Sequence, residues 1–510
     1  MRRLWQFHGG VKLNGNKSLS NEQPIAKANL PPLLILPLLQ HIGVPADPVV
    51  KVGDRVLKGQ IIAHCQANDC HLKMSVPLHA SSSGTIVAIE PHSVPHPSGL
   101  KALCIVIATD GRDEWIKCNP ITNYMALSPM TLRQHIAMAG IVGLGGAGFP
   151  SHLKLKSEGI ETLIINGAEC EPYITCDDRL MREYSNDIIT GTEIFRHILG
   201  GTKHCVIAVE DNKPAAYAAL LQAALGRVTV VKVPTLYPTG GEKQLIHVLT
   251  GKEIGKSQLP ADFGIVVHNI ETTRAVYRAV KEGRPLISRV VTVTGSGIAK
   301  PQNLEVLLGT PIQVIIDQCE RKHNIEQIIM GGPMMGFTLP HDQFPVIKTT
   351  NCLIVSSAPT LATSQSTMPC IRCGACAQVC PINLLPQQLY WYTRAKDFKA
   401  AKDYHLFDCI ECGCCAYVCP SHLPLVDYYR YAKAEIRTNE RERQQANLAR
   451  HRHEFRTWRL ARDKAEKQAR HQAAAATSQP DKQIVIDAAL ERVKAKKNFA
   501  QLENQPIQEE

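Results

Sequence analysis

The 510-residue chain has no long hydrophobic run. Its most apolar stretch, Leu30 to Val44, is interrupted by prolines and by Gln40 and His41, so it is too short and broken to cross a hydrocarbon core of about 30 Å. If the chain works at a membrane, something else must hold it there. The opening MRRLWQFHGGVKLNG is basic but has neither a continuous apolar core nor a small-residue cleavage site, which argues against a signal peptide. A groove-reading motif and an aromatic–basic platform are also missing, so the formal charge of +11 is not expected to serve nucleic acid.

What the chain does have is cysteine, 18 in all. Nine fall in two matching runs, CIRCGACAQVCP from Cys370 and CIECGCCAYVCP from Cys409, and all but Cys414 keep one shared spacing. Each is C-x2-C-x2-C-x3-C-P, the spacing in which three close thiolates grip one face of a 4Fe–4S cube while the fourth reaches to a neighbouring cube. This assigns Cys370, Cys373, Cys376 and Cys419 to one cluster and Cys409, Cys412, Cys415 and Cys380 to the other. Gly374 and Gly413 let each loop bend, and Pro381 and Pro420 stop it continuing as helix. Structural zinc usually takes two separated CxxC pairs per site, whereas here both four-cysteine runs are complete. Two neighbouring clusters are suited to passing single electrons. Such ligands and the scattered free thiols call for a reducing compartment, so the protein is expected to face the cytoplasm. A basic surface then suits an acidic electron carrier or anionic lipid.

The length implies three or four domains. After an arm over residues 1–30, residues 31–118 show short strands with turn signals, as in KVGDRVLKGQIIAHC and SSSGTIVAIE. This pair resembles the barrel-sandwich module of biotinyl and lipoyl carriers. No lysine stands at the matching hairpin tip, where Ser75 to His79 lead into Ala80, although Lys73 lies nearby. The expectation is a structural copy without a prosthetic group.

From residue 125 to 285 strands alternate with helices, which predicts a largely parallel sheet with ligands at the strand carboxyl ends. The first such place is IVGLGGAGFPSHLK, from Ile141 to Lys154. Its glycines permit close backbone approach and its helix start offers free N–H groups to an anion. Three more segments follow: Asn166 to Pro172, Tyr237 to Glu242, and His268 to Thr272. In order and character these motifs resemble the flavin- and NADH-binding subunit of respiratory complex I. The resemblance implies that Gly143, Gly145, Gly146, Gly148, Lys154, Asn166, Asn269 and Thr272 hold FMN, with Phe149 helping to place the nucleotide. Glu169, Tyr237 and Glu242 are then expected beside the flavin and nicotinamide rings as the catalytic group. Leu144, Ala168, Gly241 and His268 depart from the family pattern, and the carboxylates missing at 168 and 241 bear on dinucleotide binding.

Residues 288–345 resemble the β-grasp (SLBB) domain that follows the flavin domain in the same family, and residues 360–436 form the helical ferredoxin-type domain with two clusters. Residues 437–510, with 16 basic and 11 acidic side chains, are expected to be charged helix or disordered tail. The fold class is thus multidomain α/β, its flavin domain Rossmann-like. This order of modules, together with the opening FHGGVKLNGNKSLS, resembles the C subunits of the bacterial Rnf (Rsx) electron-transport complexes. The resemblance implies a peripheral subunit on the cytoplasmic side of the inner membrane, with NADH as substrate, FMN and two 4Fe–4S clusters as cofactors, and membrane subunits and ferredoxin or an equivalent carrier as partners. The same resemblance implies that hydride would pass from nicotinamide to flavin and single electrons on to the clusters, while partner subunits move the ion. The competing expectations are a soluble FMN and iron–sulfur cobalamin reductase with similar modules, and an electron relay that has lost nucleotide binding.

Overall fold

The computed structural model describes residues 4–64, 74–156, 158–256, 258–357 and 366–502. The chain divides into two units, Met1–Tyr431 and Ala432–Glu510. Central to the first are four strands with almost unbroken apolar sequence, Thr162–Gly167, His204–Glu210, Thr229–Val233 and Ile265–Asn269. Such runs suit a sheet covered on both faces. All pair in parallel, and the spatial order is third, second, first, fourth. Ile165, Ile207 and Val209 join a core with Ile188, Phe195, Leu220 and Val276, while Ile164, Val206 and Ala208 join one with Leu245, Ile246 and Leu249. The chain starts at Thr162–Gly167, moves outward on one side and returns on the other with Ile265–Asn269. That reversal opens a crevice beyond the carboxyl ends of these two strands.

The N-terminal module is all β. Leu33–Pro37, Lys101–Thr109, Gly84–Ser93 and Arg55–Val56 form one antiparallel sheet in that order, and Asp47–Pro48, Ile61–His64 and Leu78–His79 form another. Leu34 and Leu36 are fully buried while Leu33 is exposed, the alternation of a half-covered strand. Lys73 lies outside the described residues.

A six-stranded mixed sheet runs Ala26–Lys27, Gln302–Leu307, Ser288–Thr294, Cys352–Ser356, Gln327–Met330, Phe337–Leu339. It reaches beyond the 288–345 segment at both ends. The arm supplies an edge strand, and an inner position goes to Cys352–Ser356, whose five residues are all buried. In the cluster segment the two cysteine runs fold alike. Arg372 and Glu411 have φ of 57° and 58°, and Gly374 and Gly413 have φ of 80° and 83°. The short helices Ala375–Gln378 and Cys414–Tyr417 then follow. The unit from Ala432 is helical through Leu502, and its described side chains from Arg437 to Leu460 are exposed. No helix among the described residues is long and apolar enough to cross a membrane.

One buried amine joins three of these parts. Lys348 is 1 % exposed. Its Nζ donates to the carbonyls of Gly140 (2.7 Å) and Pro77 (3.4 Å), and its backbone N–H donates to Gln40 Oε1 (3.1 Å). Burial pushes the amine from 10.5 down to about 7. The unfolded chain therefore holds this proton across a window in which the folded chain has released it, so stability due to this site rises with pH from about 7 to about 10. Relative to Lys348→Met, the wild type should gain about 1 kcal/mol of stability per pH unit in that window, measured by urea unfolding of both at pH 7, 8 and 9. A difference that does not change with pH would contradict this.

Candidate functional site

The crevice at the sheet reversal is a cavity of about 670 Å³, in the size range of cofactor sites. It gathers all four segments picked out in the sequence. Gly143, Gly145, Gly146, Phe149, Lys154, Asn166, Glu169, Tyr237, Glu242, Asn269 and Thr272 all line it. Gly148 does not. It sits behind the loop, where its carbonyl accepts from Ile42 N at 3.0 Å and a Cβ would stand 3.0 Å from the Thr349 side chain.

The wall is held by side chains of the strand ends. Asn166 and Asn269 are register partners on adjacent strands. Asn166 Nδ2 donates to Gly240 O (2.8 Å) and its Oδ1 accepts from Ala168 N (3.0 Å), tying together two of the lining segments. Asn269 caps the Ile270–Lys281 helix, accepting from Glu271 N (2.9 Å) and Thr272 N (3.3 Å). The glycine loop is pinned to the same helix, since Leu144 N donates to Thr272 Oγ1 at 2.9 Å. Lys154 Nζ bonds Glu242 Oε1 (2.7 Å) and Val267 O (3.2 Å). A basic group, a glycine loop and a capped helix start thus converge on one mouth, which fits the phosphate end of a nucleotide.

Several lining groups carry no sequence signal of their own. Asp177 is half-buried and accepts from Asn269 Nδ2 at 2.7 Å. Burial, with Glu169 and Glu271 nearby, pushes its carboxyl up to about 8. Glu169 Oε1 accepts from Asp177 N at 2.8 Å. Burial raises Glu171 to about 7 against the pull of two backbone donors, Met334 N at 3.1 Å and Met335 N at 2.9 Å. The GGPMMGF turn is therefore a docking point for a cavity carboxylate. Cys170 lines the cavity too, its thiol pushed up to about 12 by burial. Each of these follows from contacts between segments far apart in the chain. Cys170 and Glu171 alone had a hint, as members of the Asn166 to Pro172 stretch.

The cysteines meet in the crossed arrangement. Cys370, Cys373, Cys376 and Cys419 ring one cavity of about 320 Å³, and Cys380, Cys409, Cys412 and Cys415, together with Cys414, line a smaller one of about 20 Å³. Among the described residues no three His, Cys, Asp or Glu side chains close on a single point as one metal ion requires. The four thiols around the larger space instead fit a cube that offers each thiolate its own iron, while the second space is tighter and the Cys414 thiol shares it. Cys409 and Cys380 each accept a backbone N–H, from Glu411 at 3.4 Å and Leu384 at 3.3 Å. The second of these sites shares a wall with the nucleotide cavity, because Ile410 and Cys412 line both. The Tyr237 hydroxyl, in that wall, donates to Cys412 O at 2.6 Å. Cys373 on the first site is exposed to solvent.

The family models bear on each part. Residues 5–112 match the RnfC barrel sandwich hybrid domain, residues 136–278 the Nuo51 FMN-binding domain, and residues 369–423 the 4Fe-4S dicluster domain. The expected multidomain α/β architecture, with these three modules, is thereby met. The chain is 51 % identical over 511 residues to the C subunit of the ion-translocating oxidoreductase complex of Vibrio cholerae, a match covering 98 % of this chain and 65 % of that protein. It therefore spans just under two thirds of the length of that relative. The C subunits of the same complex from Serratia proteamaculans and Yersinia pestis are each 45 % identical, over 97 % and 96 % of this chain and 70 % and 79 % of theirs. An NAD+-reducing [NiFe]-hydrogenase in its H2-reduced state overlaps 58 % of the chain and 61 % of its own at 19 % identity, with a TM-score of only 0.43. Because identity of this order runs along nearly the whole chain, the protein belongs to the family of C subunits of ion-translocating oxidoreductase complexes.

Proposed function

We propose that this chain carries electrons between NADH and two 4Fe–4S clusters by way of FMN, as the peripheral subunit of a membrane-bound, ion-translocating complex on the cytoplasmic side of the inner membrane. Its partners are the membrane subunits and a ferredoxin-type carrier. The parallel sheet is taken as Rossmann-like and the six-stranded sheet as a β-grasp (SLBB) domain. The observation that carries the reading is the common wall, in which Tyr237 faces the nucleotide cavity and bonds the backbone of Cys412.

Bound FMN would supply the conversion of an electron pair into single electrons, which nicotinamide and a cubane cannot exchange directly. The chain's own groups bind and orient. The backbone at Gly143, Gly145 and Gly146, with Lys154, holds the phosphate, and Asn166, Asn269 and Thr272 fix the loop and helix start around the flavin. Phe149 helps place the nucleotide. Glu169, Tyr237 and Glu242 flank the ring region, where correct placement of two planar groups accounts for most of the rate gain. Asp177, whose carboxyl is pushed upward by burial and by Glu169 and Glu271, repels an anion at this wall less than an ordinary carboxylate would. Cys380, Cys409, Cys412 and Cys415 hold the cluster beside the cavity, and Cys370, Cys373, Cys376 and Cys419 hold the outer one.

Anaerobic purification of the chain, with iron and flavin measured and absorbance followed after NADH is added, tests this. About eight iron and one flavin per chain, with both chromophores bleaching, is the expected result. Iron near eight with no flavin, and no response when FMN is supplied, would reduce the chain to an electron relay.

A further inference from the structure

The N-terminal arm passes over the α/β domain, the cluster segment and the β-sheet domain in turn. Trp5 N donates to Val248 O at 2.9 Å, on the Glu242–Thr250 helix. The next residues reach the loop of the first cysteine run. His8 Nδ1 donates to Cys380 O (3.0 Å), and Gly10 N donates to Val379 O (3.0 Å). Val11 then pairs with Tyr237 in both directions, at 2.9 and 3.0 Å. Further on, Lys17 Nζ donates to the carbonyls of Glu169 (2.7 Å), Glu171 (3.0 Å) and Ile174 (2.7 Å). The arm thus grips both the cavity wall and the cysteine loop.

These contacts form a closed circuit around the inner cluster site. Three of its thiols lie on the Cys409–Cys415 loop, which meets Tyr237 directly through Cys412 O. The fourth, Cys380, comes from the other run and is tied to the same Tyr237 through His8, Gly10 and Val11. There is little slack. Gly9 has φ +68°, and a Cβ there would stand 2.6 Å from the Val379 carbonyl carbon. A Cβ on Gly10, at φ +82°, would stand 2.8 Å from Tyr237 O. Only glycine allows this approach without strain.

We propose that residues His8–Val11 are a strap that sets the distance between the nucleotide cavity and the inner cluster, with Gly9 and Gly10 as its positioning residues. Electron transfer falls steeply with separation, so a small displacement of the cysteine loop slows the step between centres without touching the hydride step. The net reaction is NADH oxidised to NAD+ with loss of two electrons and release of one proton to solvent, each cluster being reduced by one electron. The inference rests on the function proposed above.

The test compares the full cofactor-loaded chain with Gly9→Ala and Gly10→Ala. The expected result is unchanged iron and flavin content and flavin bleaching by NADH within about twofold of wild type, but cluster bleaching at least about tenfold slower, roughly 1.4 kcal/mol of barrier. In the oxidised proteins, amide hydrogen exchange at Gly10, Val11 and Tyr237 should be at least about tenfold faster, which reads the strap without any turnover. Lys17→Met should raise exchange at Tyr173, whose N–H bonds Gly15 O at 2.7 Å, if the arm acts as one piece. Cluster bleaching as fast as wild type in both glycine variants would overturn the strap, as would equal slowing of flavin and clusters. Failure of the wild type to bleach at all would instead overturn the electron route itself.

Discussion

Cys380→Ala and Cys412→Ala should yield the same protein, although the two residues lie in different cysteine runs. Each should hold about four iron atoms instead of about eight, because each removes a ligand of the same cube. Cys373→Ala and Cys419→Ala should form a second matching pair that loses the other cube. Double variants sharpen the contrast. Cys380→Ala with Cys412→Ala should retain about four iron atoms, whereas Cys376→Ala with Cys380→Ala, neighbours in one run, should retain close to none. The grouping follows from the two rings of thiols, one containing Cys380 and Cys412 and the other Cys373, Cys376 and Cys419. Iron analysis with low-temperature electron paramagnetic resonance of the dithionite-reduced proteins checks it. If Cys376 and Cys380 pair with each other instead, the crossed assignment is wrong. The same variants also report on order. Loss of the outer cluster should leave the inner one reducible by NADH, while loss of the inner one should leave the outer cluster oxidised, since only the inner site shares a wall with the nucleotide cavity.

The gathering of thiols from both runs around two spaces was legible from spacing, because three thiolates within seven residues and a fourth before proline are a local geometric demand. The glycine loop and the asparagines at two strand ends were legible for a similar reason. Each sits where a strand hands over to a helix, and the parallel sheet brings those handovers to one edge. The arm's contacts were not legible. His8, Val11 and Lys17 act on partners 152 to 372 positions away or in short two-residue pairings, and no periodicity marks such contacts. The full extent of the mixed sheet was not legible for the same reason, since Cys352–Ser356 is recognised as an inner strand only once its neighbours Ser288–Thr294 and Gln327–Met330 are seen. Asp177 is an acid in the first turn of CDDRLMRE and carries no motif signal. Its altered acidity depends on burial against Glu169 and Glu271, which only the folded chain creates. Gly148 belongs to the recognised loop by sequence yet sits against packed structure, where a Cβ would meet the Thr349 side chain and the backbone at His41.

The support beneath that loop gives the second large effect. Arg289 and Glu271 form an ion pair at 2.7 Å with side chains 1 % and 6 % exposed. Glu271 Oε1 also accepts from Val290 N at 2.5 Å, while the guanidinium donates to Lys348 O at 2.5 Å and to Leu144 O at 3.2 Å in the glycine loop. Burial raises the Glu271 carboxyl and Arg289 opposes that rise. Arg289→Met would leave a buried carboxylate without its cation and two carbonyls without a donor. Breaking one side of such a pair costs about 3–5 kcal/mol, so the thermal midpoint should fall sharply. The loop loses an anchor at the same time, so flavin should dissociate on gel filtration under conditions where the wild type retains it. Glu271→Gln keeps the shape and one acceptor, and removes the charge that burial disfavours. Because the two residues share one interaction, the double variant should cost less than the sum of the singles. A midpoint for Arg289→Met within a degree or two of wild type would mean that the loop is held by Thr272 alone. Full flavin retention despite a large fall in midpoint would separate the pair's role in folding from any role in the cavity.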